Sequence, residues 1–227
     1  MPKSFIKIKP VTVNSENHNT RKIKPKYLIP GSAENICFGD MTLKEKRAEL
    51  EILVKEKTGR KMQKKATPIR EAVILLPDDN NALNVEALAN LSEELEKRYN
   101  IKTFQTHIHN DEGHINEEGE AKYNYHAHLV FDWVDHKTGK SLKLGKDEMS
   151  EIQTLTAEAL SMERGVKGSK NLSLNHHEYR GYLEIKDKIA KELKKEITKA
   201  QEQKIREEII QKRENENKRR NSSRISR

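Results

Sequence analysis

The chain of 227 residues is long enough for one substantial domain and an appendage. Charged residues (35%) outnumber hydrophobic ones (33%), and the net charge of +8 points to a polyanionic partner, nucleic acid or an anionic surface. No apolar run approaches the length of a membrane span, no secretory signal opens the sequence, and the lone Cys37 excludes an intrachain disulfide, so a reducing, cytoplasmic setting with no membrane partner is expected.

In chain order, residues 5–13 alternate and predict a first strand, with Pro10 implying a sheet edge or a bulge. The polar stretch 14–21, which holds His18, Asn19 and Arg21, turns basic at Lys22, Lys24, Lys26 and Tyr27 and reads as a solvated loop. Thr42-Leu43-Lys44-Glu45 has the form of a capping box, and a charged helix with Leu43, Leu50 and Leu53 inward should run to Thr58 and Gly59. The apolar run 71–76, stopped by Pro77, predicts a buried central strand. Asn84 is expected to cap a helix that keeps Val85, Leu88, Leu91 and Leu95 on one stripe up to Tyr99. Residues 113–122 read as a polar turn and 137–140 as a tight one. A helix is predicted from Asp147 to Arg164, with Met149, Ile152, Leu155 and Ala159 inward and Gly165 as its stop. His114, His136, His176 and His177 read as surface residues. From Gly181, Ile185, Ile189, Leu193 and Ile197 recur every four residues, followed by Ile205 and Ile209. That spacing predicts one long charged amphipathic helix, able to pack back or to pair with a second copy as a homodimer. Residues 218–227 read as a disordered basic tail suited to phosphate contacts. The expected division is a domain over 1–180 and the charged helix with its tail over 181–227.

The densest chemistry lies on two alternating stretches, 101–109 and 123–133. Successive side chains of a strand point to opposite faces. Phe104, Thr106 and Ile108 then share one face, and Gln105, His107 and His109 the other. On the second strand Ala127, Leu129, Phe131 and Trp133 oppose His126, His128, Val130 and Asp132. Antiparallel pairing would join the apolar sets into a core and bring His109, His126 and His128 together beside Asp111 and Glu112. Three imidazoles that leave coordination positions open suit a catalytic rather than a structural metal. The predicted architecture is an α/β sandwich: a mainly antiparallel sheet with helices on one face and the histidine site on the other.

This element order, with His109-x-Asp111-Glu112 and His126-Ala127-His128, resembles the plasmid mobilisation relaxases of the Mob/Pre (MobV-type) group, within the HUH endonucleases. His18-Asn19-Thr20-Arg21 is similar to that group's H-N-x-R motif, and Met162-Glu163-Arg164-Gly165 to its L-E-R-G segment. The spacing departs from the pattern, because residues 113–125 intervene between the histidine motifs and no Pro precedes His126. The resemblance implies a metal-dependent relaxase that nicks one DNA strand at a transfer origin through a covalent protein–DNA link, on single-stranded or supercoiled DNA, with other mobilisation proteins as possible partners. It implies His109, His126 and His128 as metal ligands, with Mn²⁺ or Mg²⁺ as the ion for phosphoryl chemistry, although an imidazole set also suits Zn²⁺, Ni²⁺ or Co²⁺. His18 would be the nucleophile, with Tyr27 as the alternative. Arg21 would pair with a phosphate oxygen, Glu112 would assist, Asp111 would orient a ligating histidine from behind, and Asn19, Lys22, Lys24 and Lys26 would contact DNA. The rival readings are a replication-initiator-type HUH nickase and a non-catalytic DNA-binding accessory protein.

Overall fold

The computed structural model describes residues 2–25, 27–29, 33–116, 118–169, 176–193 and 199–225. The chain divides into two compact units, Met1–Lys167 and Gly168–Arg227. The first unit contains, in chain order, β1 (Ile6–Pro10), α1 (Ser15–Asn19), β2 (Ile36–Phe38), α2 (Leu43–Thr58), β3 (Ile69–Leu75), α3 (Asn81–Tyr99), β4 (Lys102–His109), β5 (Gly113–Ile115), β6 (Ala121–Tyr123), β7 (His126–Asp132), β8 (Val134–Asp135), β9 (Lys140–Ser141) and α4 (Lys146–Ala159). Five strands form one sheet in the order β1-β3-β7-β4-β2, with each neighbouring pair antiparallel.

Period-two patterning builds the sheet's two faces. Ile74, Ile108, Ala127, Leu129 and Phe131 turn to one side and are buried with Leu88, Leu91 and Leu95 of α3 and Ile152 of α4. This is the expected helix-covered face. The opposite face holds the histidines and a smaller cluster in which Leu50 of α2 packs with Ile69, Val130 and Val134. So α2 covers the end of the face that the histidines leave free. Phe104 joins this second cluster rather than lying beside Ile108. The register between β4 and β7 shifts between Thr103 and Gln105, so Phe104 is the extra residue of a bulge and changes sides.

Local chemistry sets the helix ends. Thr42 and Glu45 form the reciprocal capping box on α2, and Gly59 closes it at φ 69°. The cap of α3 is Asn80, not Asn84. The Asn80 side chain accepts from the Leu83 amide at 3.3 Å, whereas Asn84 is buried inside the helix and donates to the Asp78 carbonyl at 3.0 Å. α4 stops at Ala159, short of the predicted Arg164. Ser161 turns left-handed at φ 50°, and the Met162 amide closes on the Ala157 carbonyl at 2.9 Å. Arg164 then folds back on α4, donating to Thr154 Oγ1 and to the Ser150 carbonyl.

Three further elements differ from expectation. Residues 15–19 are a short helix instead of a loop, β2 adds an unpredicted edge strand, and the polar turn between the histidine strands is itself a β5–β6 hairpin. The second unit holds two helices, α5 (His176–Leu193) and α6 (Lys199–Ile225), where one was predicted. Ion pairs Lys186–Glu202 (3.3 Å) and Glu178–Arg213 (2.5 Å) run in opposite order along them, so the helices lie antiparallel. Tyr182 and Ile205 are buried there, and residues 218–225 continue α6 as helix rather than tail. Ile197 and the last two residues lie outside the described residues, as does Lys26. The division between units falls at Lys167, before the expected 180. Among the described residues no helix is long and apolar enough to cross a membrane.

Candidate functional site

β4 and β7 pair so that His109 faces His126 and His107 faces His128. α1 brings His18 over this layer, its ring centroid 5.0 Å from that of His109, 5.1 Å from His128 and 6.5 Å from His126. One candidate ligand atom from each of His18, His109, His126 and His128 lies within 4.8 Å of the others. His109, His126 and His128 are buried, whereas the His18 side chain is 29% exposed.

The hydrogen bonds fix which nitrogen each buried ring can offer to a metal. A carbonyl oxygen can only accept, so His126 Nδ1 donates to the Asn124 carbonyl at 2.8 Å and Nε2 keeps its lone pair. By the same rule His109 Nε2 donates to the Asn19 carbonyl at 3.1 Å, which leaves Nδ1 as the free lone pair. His128 Nδ1 donates to Glu71 Oε1 at 2.7 Å, and its Nε2 is buried without a partner among the described residues. The free nitrogens of His109 and His126 face each other at 3.3 Å, lone pair against lone pair. That spacing suits two ligands of one ion with metal–nitrogen bonds of about 2.1 Å. These three residues therefore fit a divalent cation. Burial, then the neighbouring His128, His126 and Arg21, drives the His109 pKa far below the ordinary 6.5. Burial likewise brings His128 down to about 4, against the pull of Glu71. Both are neutral, metal-ready imidazoles at neutral pH.

Glu71 is the residue that sequence reasoning passed over, taking it for the first position of an apolar strand. It is 1% exposed and gathers His128, Asn19 Nδ2 (2.9 Å) and Ser15 Oγ (3.2 Å), with Lys9 Nζ at 3.6 Å. Burial pushes its carboxyl upward, but the hydrogen bonds from His128 and Asn19 and the charges of His128 and Lys9 outweigh this and bring it to about 2. The signal in the sequence was a carboxylate in a run predicted to be buried, which demands partners.

Glu71 also takes the place expected of Asp111. Asp111 Oδ1 accepts from Arg21 Nη2 at 2.5 Å and its Oδ2 from Asn35 Nδ2 at 2.8 Å, and it meets no ligating ring. Burial raises the Asp111 pKa, but the Arg21 and Asn35 hydrogen bonds hold it below the ordinary 3.8. Arg21 is paired with Glu112 as well, at 2.8 Å, so its guanidinium is engaged by two carboxylates. It also sits at φ 56°, a left-handed position ending α1 where glycine is the usual choice. Glu112 Oε1 lies 3.5 Å from His18 Nε2, 3.7 Å from His109 Nδ1 and 3.9 Å from His126 Nε2, at the centre of the site.

Asn19 is 4% exposed; its side-chain amide donates to Glu71 and its backbone carbonyl accepts from His109, so it ties Glu71 to the histidine layer. Lys22 and Lys24 are exposed just after α1. Tyr27 is 39% exposed on a strap whose next residue, Leu28, bridges to Glu112. His107 is buried and held to about 4 by burial, with Nε2 at 3.4 Å from Gln105 Oε1. His114 is exposed, and His136 meets the buried Asp132 at 2.5 Å, a partner its sequence context did not suggest.

No protein-family model and no curated protein matches the sequence. Solved structures match the fold. A relaxase domain of MobM (MOBV; Mob_Pre), Mn-bound and in complex with 22-nucleotide plasmid pMV158 oriT DNA, aligns at TM-score 0.59 and 16% identity, over 79% of this chain and 98% of that one. The same domain with 23-nucleotide oriT DNA aligns at 0.59 and 17%, over 81% and 99%. With 26-nucleotide DNA it aligns at 0.54 and 14%, over 78% and 99%. The antiparallel sheet and its helical layer thus share the fold of these Mob/Pre relaxase domains.

Proposed function

We propose that this chain is a metal-dependent relaxase that cuts one strand of a mobile element's DNA at a transfer origin and keeps the 5′ end as a covalent adduct. The observation that carries this reading is the set of three buried imidazoles whose free lone pairs converge beside a partly exposed fourth, His18. The likeness to MobM domains, which are Mn-bound and bound to oriT DNA, supports it at the level of fold.

His109, His126 and His128 would hold the cation, with Mn²⁺ or Mg²⁺ as the proposed ion, which would polarise the scissile phosphate and offset charge on its oxygens. His18 is the proposed nucleophile. A ring nitrogen attacks phosphorus, forming an N–P bond as the P–O3′ bond breaks, and the proton lost by the imidazole balances the one gained by the departing 3′ oxygen. Glu112 would receive that proton, a role supported by the 3.5 Å between its Oε1 and His18 Nε2. Arg21 fixes both carboxylates and the His18 carbonyl, to which Nη1 donates at 3.1 Å, and so positions α1. In this reading Lys22, Lys24 and Lys26 meet the DNA backbone. Supercoiled origin DNA, other mobilisation proteins and a homodimer through the second unit are its proposed partners, in the cytoplasm.

The test is incubation of labelled single-stranded oligonucleotides tiling the parent element, with Mn²⁺, Mg²⁺ or EDTA. A nick and a shifted protein–DNA band are expected only with metal, and both should vanish in a His126→Ala/His128→Ala variant. Undiminished nicking by that variant refutes the reading. One observation favours a second reading: the His18 ligand atom is close enough to close the site as a fourth ligand. In that case His18→Ala would weaken Mn²⁺ binding as much as His126→Ala does, and no oligonucleotide would be cut.

A further inference from the structure

We propose that the groove between α2 and the segment 59–66 binds single-stranded DNA that flanks the scissile phosphate, a surface separate from the histidine site and from the basic stretch 22–26. The proposal rests on the relaxase reading for the identity of the strand. The groove has a volume of about 740 Å³ and is lined by Arg47, Ile52, Lys55, Lys61, Met62 and Lys64, among others. A second hollow of about 420 Å³ shares Arg47 with it and continues past Leu43 and Lys44 to Glu16 of α1, two residues before His18. The Leu43 amide donates to Glu16 Oε1 at 3.0 Å, which ties the start of α2 to the helix that carries His18. The two hollows thus flank Arg47, whose Nη1 donates across to the Ala66 carbonyl at 3.3 Å, and they follow one another along α2.

Its charge is concentrated and, apart from Arg47, which pairs with Glu51 on the groove wall at 3.0 Å, and Lys46, which pairs with Glu49 and Asp132, largely unspent on the protein itself. Residues 44–65 hold nine Lys and Arg against four Glu, a large share of the chain's excess of +8. Lys55, Lys57, Arg60, Lys61, Lys64 and Lys65 are all exposed, and none has a carboxylate within ion-pair distance among the described residues. Some cations elsewhere on the first unit are paired, Lys97 and Arg98 with Glu94, Lys102 with Glu96 and Lys122 with Glu120, and none of these lines the groove. The β8–β9 turn adds two more. Gly139, at φ 67°, lets that turn approach α2 so closely that a Cβ would stand 2.7 Å from Lys57 Cβ. Exposed Lys137 and Lys140 are thereby brought up to the end of α2.

A row of unpaired cations needs a polyanion, and the concave shape and the apolar side chains select which one. Ile52 is 61% exposed and lines the groove with half-buried Met62. A duplex presents mainly phosphates to such a surface, whereas a single strand also presents base faces that apolar side chains can cover. Arg47 and Lys55 are eight residues apart, about 12 Å along the helix axis, enough to follow several nucleotides.

The experiment is fluorescence anisotropy with fluorescein-labelled 24-nucleotide oligo(dT), without metal, over a series of salt concentrations. For K55Q/K61Q/K64Q we expect about tenfold weaker binding and a log Kd against log salt slope flatter by about 2, from three lost phosphate contacts at ~0.7 each. A control that removes the same charge elsewhere, K97Q/K102Q/K122Q, should bind within about twofold of the parent chain. Melting temperature and Mn²⁺ affinity report folding of both variants. Equal losses in the two variants, or no loss in the first, overturn the groove, and an equal loss for a 24-base-pair duplex overturns the choice of a single strand. Because no metal or cleavage enters this measurement, absence of nicking by the parent chain would sink the relaxase reading and leave the groove standing or falling on its own result.

Discussion

Glu71 holds the proton side of His128 so that the other nitrogen stays bare, and it does so from inside an apolar strand. Its replacement by Gln keeps the volume but weakens that hydrogen bond. Mn²⁺ affinity measured by calorimetry should fall about 10–100-fold, as for other partners of metal-binding histidines, while the fold is retained. The same pair predicts acid lability without metal. His128 is depressed from 6.5 to about 4 and Glu71 from 4.5 to about 2. In both cases the unfolded chain takes up protons that the folded chain refuses, so stability is full above pH 6.5. It declines first as His128-type uptake begins and further from pH 4.5 toward 2. Melting temperature should follow this course in EDTA, and Glu71→Gln should flatten the lower part. His18 is also depressed, by burial first and then by Arg21 and His126, against Glu112 and Glu71. A lowered pKa means the neutral, nucleophilic form persists on acidification. The acid limb of nicking should therefore lie below pH 6.5, and bound cation shifts it the same way. His18→Ala should bind Mn²⁺ yet form no adduct, whereas Tyr27→Phe should form one. An adduct that survives in His18→Ala and disappears in Tyr27→Phe would move the role to the tyrosine.

The histidine strands were legible in sequence because period-two alternation is a local property, and the pairing of His109 with His126 follows once both strands face one core. The bulge at Phe104 was not legible, since it answers to the space between β7 and α2 and not to any residue nearby. The short α1 was hidden for a similar reason. Its polar residues look solvated until Ser15 and Asn19 are seen turned inward on Glu71, a partner more than fifty positions away. Capping chemistry at α2 was read correctly because Thr42 and Glu45 act on each other, while Asn80 and Asn84 are chemically alike and only the surrounding fold separates cap from interior. At the base of the β5–β6 hairpin the requirement is equally geometric. A Cβ on Gly113 would meet the Lys122 carbonyl oxygen at 2.3 Å and Ile29 Cδ1 at 2.6 Å. Gly113→Ala should cost about 1–3 kcal/mol in chemical denaturation, and Gly119→Ala about 1–2 kcal/mol through backbone strain alone, because its φ is 83° although nothing lies within 4 Å of its Cβ.

At the scale of the whole chain, the proposed site residues all lie within Met1–Lys167. A chain ending at Lys167 should fold and nick, with weaker and less salt-dependent DNA binding if α5 and α6 add affinity. A folded chain of that length that cuts nothing at any concentration would show that the second unit takes part in the chemistry. The β5–β6 hairpin has a further consequence. It is an excursion between two strands already locked together, 102–109 against 126–132, and buried on one side by α3 and α4. Glu118, Gly119 and Glu120 at its tip are exposed. Covalent continuity through the tip is then dispensable once the chain has folded. A single cut there by a glutamate-specific protease should leave two fragments that elute together from a sizing column and still take up Mn²⁺, a split protein with its histidines in place.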